Sequence, residues 1–210
     1  MLRKILSIKK RYFVIPIAVI IVIAAAVIIL NVRQKDMLKF SDFTKEENQY
    51  CYQEIPWGVD PDTAEKMLKR TLEQLPSTPD YYNAGSVKMD QYEALMRTEF
   101  EEGNRLVTVQ ILFPNAMDDT SVDYSEIESE ALEAFKKQYG ESSRESESMG
   151  IDGLYHRNTA WYSESEDGKI SVLAVQASHN KQRVIDLMIA TGEIPREIWE
   201  NMNSAEKNVQ

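Results

Sequence analysis

Two histidines, His156 and His179, carry the side chains best suited to proton transfer or metal binding near neutral pH. Neither stands in a metal-binding spacing such as HExxH, and the chain contains no GxSxG, Walker or GxGxxG motif. His156, in the stretch YHRNTAWY, is the candidate general base of a hydrolase if folding brings a serine and a carboxylate to it. The alternative is a histidine on a sheet face or edge. We therefore predict no catalytic residue and a protein that is not an enzyme.

Aromatic side chains offer a second kind of chemistry, the stacking of a glycan or peptide. Trp57 lies between Pro56 and Gly58, directly before a predicted helix, and four tyrosines occur in its neighbourhood: Tyr50, Tyr52, Tyr81 and Tyr82. Together these five residues are the predicted binding residues. The alternative interpretation is a tryptophan that packs across the start of the helix, with tyrosines at the rim of the core.

Four carboxylates gather in the segment MDDTSVDYSE, at Asp118, Asp119, Asp123 and Glu126. The segment lacks the glycine and the terminal glutamate of an EF-hand loop. Helix capping and the helix dipole explain the cluster, and a weak calcium site is the alternative. The sequence therefore predicts no metal ligands and no cofactor.

Two amphipathic helices and two sets of strands must position these residues. Asp60 and Pro61 suit the start of a first helix, whose apolar face runs from Ala64 to Leu75. A second helix in DYSEIESEALEAFKKQYG has a possible capping box at Ser125 and Glu128 and ends at Gly140.

Alternating apolar residues predict strands after each helix. The first set is a hairpin over 91–113, in which Val107, Val109, Ile111 and Phe113 share one face. The second set is an antiparallel meander over 155–190, with a turn at Asp167–Gly168. Apolar helix faces need a sheet to cover, so the sequence favours two layers, helix plus meander, twice.

The stretch IPWG (55–58) before the first helix, and YG (139–140) closing the second, resemble the small membrane-anchored extracytoplasmic bacterial domains of unknown function. The helix-then-meander plan is also similar in layout to PepSY-type and outer-membrane-lipoprotein modules. The resemblance implies an extracytoplasmic location and an α+β fold. It implies no activity and no catalytic residues.

The segment 12–32 contains no charged residue, and as a helix it would be about 31 Å long, the thickness of a bilayer core. A cleaved signal peptide is the alternative, but VIILNV continues the apolar run past the Ala24–Ala26 segment. Five basic residues precede the span and no acid does, which predicts a cytoplasmic N-terminus. We expect a single-pass transmembrane signal-anchor in the cell membrane of a bacterium.

The full prediction is an α+β protein with a single N-terminal transmembrane helix and a two-layer domain of two amphipathic helices on an antiparallel sheet. Its parts are a cytoplasmic N-terminus (1–11), the transmembrane helix (12–32), a stalk (33–48), the extracytoplasmic domain (49–192), and a short helix with a polar tail (193–210). The one cysteine, Cys51, cannot form an internal disulfide and is expected to be buried.

The net charge of −10 disfavours nucleic acid as a partner, because phosphates require a basic surface. The predicted function is a non-catalytic, membrane-anchored extracytoplasmic interaction domain that binds a protein or another component of the cell envelope. An envelope hydrolase using His156 and a single-span accessory subunit of a membrane complex are the alternatives.

Overall fold

The computed structural model describes residues 37–200 apart from 103, 166 and 181. The described residues from Leu38 onward belong to one compact unit. A 3-10 turn, Phe40–Asp42, and the helices α1 (Pro61–Leu68) and α2 (Ser125–Tyr139) accompany the strands, and residues 196–200 are also helical. The strands are β1 (Met37–Leu38), β2 (Phe43–Glu46), β3 (Gln49–Tyr52), β4 (Glu73–Leu75), β5 (Thr78–Met89), β6 (Tyr92–Glu101), β7 (Arg105–Phe113), β8 (Arg144–Met149), β9 (Tyr155–Glu164), β10 (Ile170–His179) and β11 (Val184–Ile194).

Nine of these strands form one sheet. Eight follow the order β1-β5-β6-β7-β11-β10-β9-β8, and β4 pairs with β5 beside them. The ladders from β5 to β8 are antiparallel throughout. A separate two-stranded sheet joins β2 and β3.

One face of the large sheet is covered and holds the core. Both α-helices and the β2–β3 hairpin contribute buried side chains to the same cluster as this face. Because side chains alternate along a strand, every second residue enters that cluster. Leu173, Val175 and Ala177 of β10 are buried in this way, as are Leu187 and Ile189 of β11.

Helix α1 begins where the sequence predicts and ends earlier. Asp60 Oδ1 accepts a hydrogen bond from the Thr63 backbone N–H at 3.0 Å, and Pro61 is the first helical residue. Lys69 then adopts a left-handed conformation with φ of 56°, and the helix stops at Leu68 after 8 residues. Of the residues predicted to continue the helix, Glu73–Leu75 form β4 instead and pair with β5.

We expect Lys69→Gly to raise the free energy of unfolding by about 0.5–1 kcal/mol. Glycine enters the left-handed region without a Cβ clash, so the helix terminus loses its strain. Lys66→Gly, inside the last turn of the same helix, should lower stability by about 1 kcal/mol. Urea denaturation of both variants measures the difference, and a destabilised Lys69→Gly variant would contradict this account of the helix end.

Helix α2 docks through a buried ion pair as well as apolar contacts. Ile127, Ala131 and Phe135 are buried. Glu128, predicted to be part of a capping box, is 4 % exposed and accepts two hydrogen bonds from Arg157 of β9, from Nε at 2.9 Å and from Nη2 at 2.7 Å. Asp123 Oδ1 accepts from the Ser125 backbone N–H at 2.9 Å and so binds the first turn in place of a box.

The predicted fold class is wrong. Eleven strands, the helices α1 and α2 and a helical segment at 196–200 occupy the described part of the chain, and a single large sheet dominates it. This is a mainly β domain and not a two-layer α+β sandwich of helix plus meander, twice. The error arose where apolar spacing extended the first helix through residues that pair as strands.

No helix in the described range, 37–200 with its three gaps, is long and apolar enough to cross a membrane. This corrects the predicted transmembrane, single-pass protein of the cell membrane. The predicted span, 12–32, lies outside the described residues, as does the cytoplasmic segment. The last part of the predicted stalk (33–48) belongs to the folded unit, because Leu38 and Phe43 are buried in its core.

Candidate functional site

The face of the large sheet that points away from α1 and α2 is the candidate site, here called the open face. Cross-strand register arranges its side chains in parallel rows. The histidine row consists of Ser148, His156, Ser178 and Asp186. The amide row consists of Ser146, Asn158, Gln176, Met188, Leu112 and Leu95. The alanine row consists of Arg144, Ala160, Ala174, Ala190, Gln110 and Arg97.

His156 lies at the centre of a hydrogen-bonded trio. Its Nδ1 lies 3.0 Å from Ser178 Oγ, and its Nε2 lies 3.2 Å from Asp152 Oδ1. Asp152 belongs to the turn between β8 and β9, while Ser178 lies directly opposite His156 on β10. The structure thus supplies the serine and the carboxylate that the hydrolase hypothesis requires.

The two carboxylates near His156 differ in their environments. The pKa of Asp152 is lowered because the Leu154 backbone N–H donates to its carboxylate, and the hydrogen bond and charge of His156 lower it further. Burial raises the pKa of Asp186, at the other end of the histidine row. Asp152 is therefore the better partner for a histidine that must gain and lose a proton.

A cavity of about 340 Å³ lies over the histidine and amide rows. Its lining includes Ser178, His156, Gln176, Met188 and Leu112. Such a volume is in the range of small-molecule sites. Hydroxyl and amide groups therefore meet a short apolar stretch in one depression.

The remainder of the open face combines an apolar centre with polar edges. Leu95 is 44 % exposed, and Leu112 and Met188 beside it are half-buried. Arg97 donates to Gln110 Oε1 from Nε at 2.9 Å and from Nη2 at 2.7 Å, and its guanidinium lies 4.8 Å from the centre of the Tyr81 ring. The arginine is thereby fixed by both Gln110 and the Tyr81 ring.

A second cavity, of about 450 Å³, opens where residues 195–198 follow β11. Five carboxylates and one lysine line it, and the lysine, Lys169, is already paired with Glu193 at 2.9 Å and Asp167 at 3.0 Å. At the same end of the sheet, the rings of Tyr162 and Trp199 are in edge contact, 4.2 Å between centres.

The predicted aromatic residues do not form one surface. Tyr50 and Tyr52 are 3 % and 1 % exposed and belong to the core. Trp57 is half-buried, packs on the same core and donates from Nε1 to the Tyr50 carbonyl at 2.9 Å. Tyr82 packs edge-on against Phe100, with 5.0 Å between ring centres, so only Tyr81, on the open face, presents its ring beside a candidate site.

In the predicted carboxylate cluster, Asp119 and Asp123 accept hydrogen bonds from nearby backbone N–H groups. Asp119 Oδ1 accepts from the Ser121 backbone N–H at 2.9 Å, and Asp123 binds Ser125 as described above. Within the residues that the structure describes, no group of three or more His, Cys, Asp or Glu side chains could hold a metal ion. Cys51 is buried, 3.3 Å from Thr44 Oγ1.

Sequence reasoning missed Ser178 and Asp152, although a signal for the first was present. The predicted turn at Asp167–Gly168 fixes the register of β9 on β10, and counting outward from it places Ser178 opposite His156. Asp152 gives no such signal, because it depends on the shape of the next turn.

Comparisons of the chain with protein-family models, with curated proteins and with solved structures found no match.

Proposed function

We propose that this chain is an interaction domain that binds a segment of a partner protein on the open face. The observation that carries the proposal is the asymmetry of the sheet, whose covered face holds the core and whose other face leaves the histidine and amide rows exposed or half-buried. Leu95, Leu112 and Met188 give that face an apolar centre, and amides, serines and Arg97 surround it. Protein interfaces have this anatomy of apolar core and polar rim.

The size of the open face sets the expected strength of binding. At about 4.8 Å between strands, the amide and alanine rows are about 24 Å long and the histidine row, which crosses four strands, is about 14 Å long. Three rows about 7 Å apart then cover roughly 400 Å². Stable interfaces bury about 800 Å² on each partner, and smaller ones are transient. We therefore expect a dissociation constant in the micromolar range.

Photo-crosslinking tests the proposal in the native cell. A benzoylphenylalanine at Leu112 or at Met188 should capture the same protein from both positions. The same group at Glu133, exposed on α2, should capture none. Leu95→Arg should weaken capture at least tenfold, because a charge would enter the apolar centre.

Met67→Arg is the matched control for this experiment. Met67 is 39 % exposed, close to the value for Leu95, but lies on α1 at the covered side. Equal loss of capture in both variants, or equal capture from Glu133, would argue against binding on the open face.

A further inference from the structure

We infer that the histidine row carries an ester-hydrolysing site in which Ser178 is the nucleophile, His156 the general base and Asp152 the residue that orients the imidazole. This activity goes beyond the proposed binding of a partner protein, although its cavity shares Leu112 and Met188 with the apolar centre of the open face. Ser178 lies on β10, whereas Leu95, the centre of the binding proposal, lies on β6, three strands away.

The hydrogen bonds define the tautomer that the reaction needs. With its proton on Nε2, His156 donates to Asp152 Oδ1 at 3.2 Å and leaves Nδ1 unprotonated. Nδ1 then accepts the hydroxyl proton of Ser178 at 3.0 Å. Nucleophile, base and orienting carboxylate are thus in hydrogen-bond contact in the order that serine catalysis requires.

The reaction balances without any further reagent than water. Ser178 Oγ attacks the ester carbonyl carbon while its proton passes to His156 Nδ1, and the imidazolium gives that proton to the departing alcohol. An acyl group remains on Ser178. Water then loses a proton to His156 Nδ1 and attacks the acyl carbon, which releases the carboxylic acid and returns the proton to Ser178 Oγ.

Side chains must stabilise the oxyanion at this site. The strand around Ser178 is paired with β9 on one side and β11 on the other. Its backbone N–H groups are therefore hydrogen-bonded within the sheet and do not point to an oxyanion. Gln176 is exposed and lies two residues before Ser178, so both side chains point to the same face. Its amide can donate to the carbonyl oxygen as it becomes negative, a role worth about 10²–10³ in rate where it has been removed from enzymes.

The cavity selects the substrate class. Met188 and Leu112 border Gln176 and provide an apolar wall for an acyl chain, and about 340 Å³ admits only a short one. The Asp186 carboxyl, directly opposite Ser178 on β11, disfavours an anionic substrate. The expected substrate is therefore a short-chain carboxylic ester without a negative charge.

The test uses the full chain, a biotinylated fluorophosphonate and 4-nitrophenyl butyrate. Peptide mass spectrometry should find the phosphonyl adduct on Ser178, and both the adduct and butyrate hydrolysis should disappear in Ser178→Ala and His156→Gln. Ser129→Ala, exposed on α2 and away from the open face, should keep both. Asp152→Asn and Gln176→Ala should each lower the hydrolysis rate at least tenfold.

The kinetic constants separate a positioning residue from a structural one. Asp152→Asn should lower kcat and leave KM unchanged, because Asp152 orients His156 and does not line the cavity that binds the ester. Folded protein that forms no adduct, or an adduct on another residue that survives Ser178→Ala, overturns the inference. Photo-capture from Leu112 in the Ser178→Ala variant is expected to persist, so failure of either proposal leaves the other open to its own test.

Discussion

The Arg157→Met variant should lose about 3–5 kcal/mol of its free energy of unfolding, which is a large part of the total for a domain. Arg157 is the only hydrogen-bonding partner found for the Glu128 carboxylate within the described residues, and both of its bonds end on that buried group. Removing the arginine leaves the Glu128 carboxylate, whose side chain is 5 % exposed, buried without a positive partner. Chemical denaturation of the full chain measures the loss.

Glu128→Gln is the matched control, and it should cost less, about 1–2 kcal/mol. The Arg157 side chain is 38 % exposed and can turn toward water when its partner is neutral, whereas Glu128 cannot. The double variant Arg157→Met with Glu128→Leu should recover most of the stability, because it buries no charge. If Arg157→Met costs no more than Glu128→Gln, the ion pair does not stabilise α2 in this way.

Phe135→Ala should lower the free energy of unfolding by about 3–5 kcal/mol. Phe135 is fully buried, and its ring contacts three separate parts of the chain: Phe43 at 5.5 Å, Trp161 at 5.7 Å and Phe40 at 5.9 Å between ring centres. Its removal leaves a cavity that β2, the 3-10 turn and β9 all border. These elements are held by other contacts and can close the cavity only in part.

Glu133→Ala, two residues away on the exposed side of the same helix, should stay within about 0.5 kcal/mol. Thermal unfolding followed by circular dichroism gives both values under one condition. A small loss for Phe135→Ala would mean that the aromatic cluster does not bind α2 to the sheet.

Local features of the fold could be predicted from the sequence because residues close together in the chain determine them. The Asp60 cap and the pairing of β6 with β7 are confirmed. The face of β7 is correct only in part, because a register shift between Glu99 and Phe100 makes Leu106, and not Val107, the buried residue. A bulge of one residue reverses the alternation of buried and exposed side chains, and no residue type in the stretch RLVTV indicates such a bulge.

The global architecture could not be predicted from such local patterns. Apolar spacing alone continued the first helix past Lys69, and nothing in the sequence marked a lysine in the left-handed conformation. Glu128 fits a capping box in the sequence, but its partner in the structure is Arg157, 29 residues away on β9. The candidate site shares this limit, since the trio around His156 comes from two strands and a turn whose contact depends on the finished sheet.

The position of β11 has a consequence for how the domain forms during synthesis. It is the last strand that the structure describes, yet it lies between β7 and β10 and is hydrogen-bonded to both. Until residues 184–194 leave the ribosome, the early strands β5–β7 and the later strands β8–β10 have no ladder in common. Each group meanwhile exposes a long unpaired edge, which is the kind of surface that chaperones shield and that drives aggregation when they do not. A nascent chain of this protein therefore needs such shielding until residues 184–194 have left the ribosome.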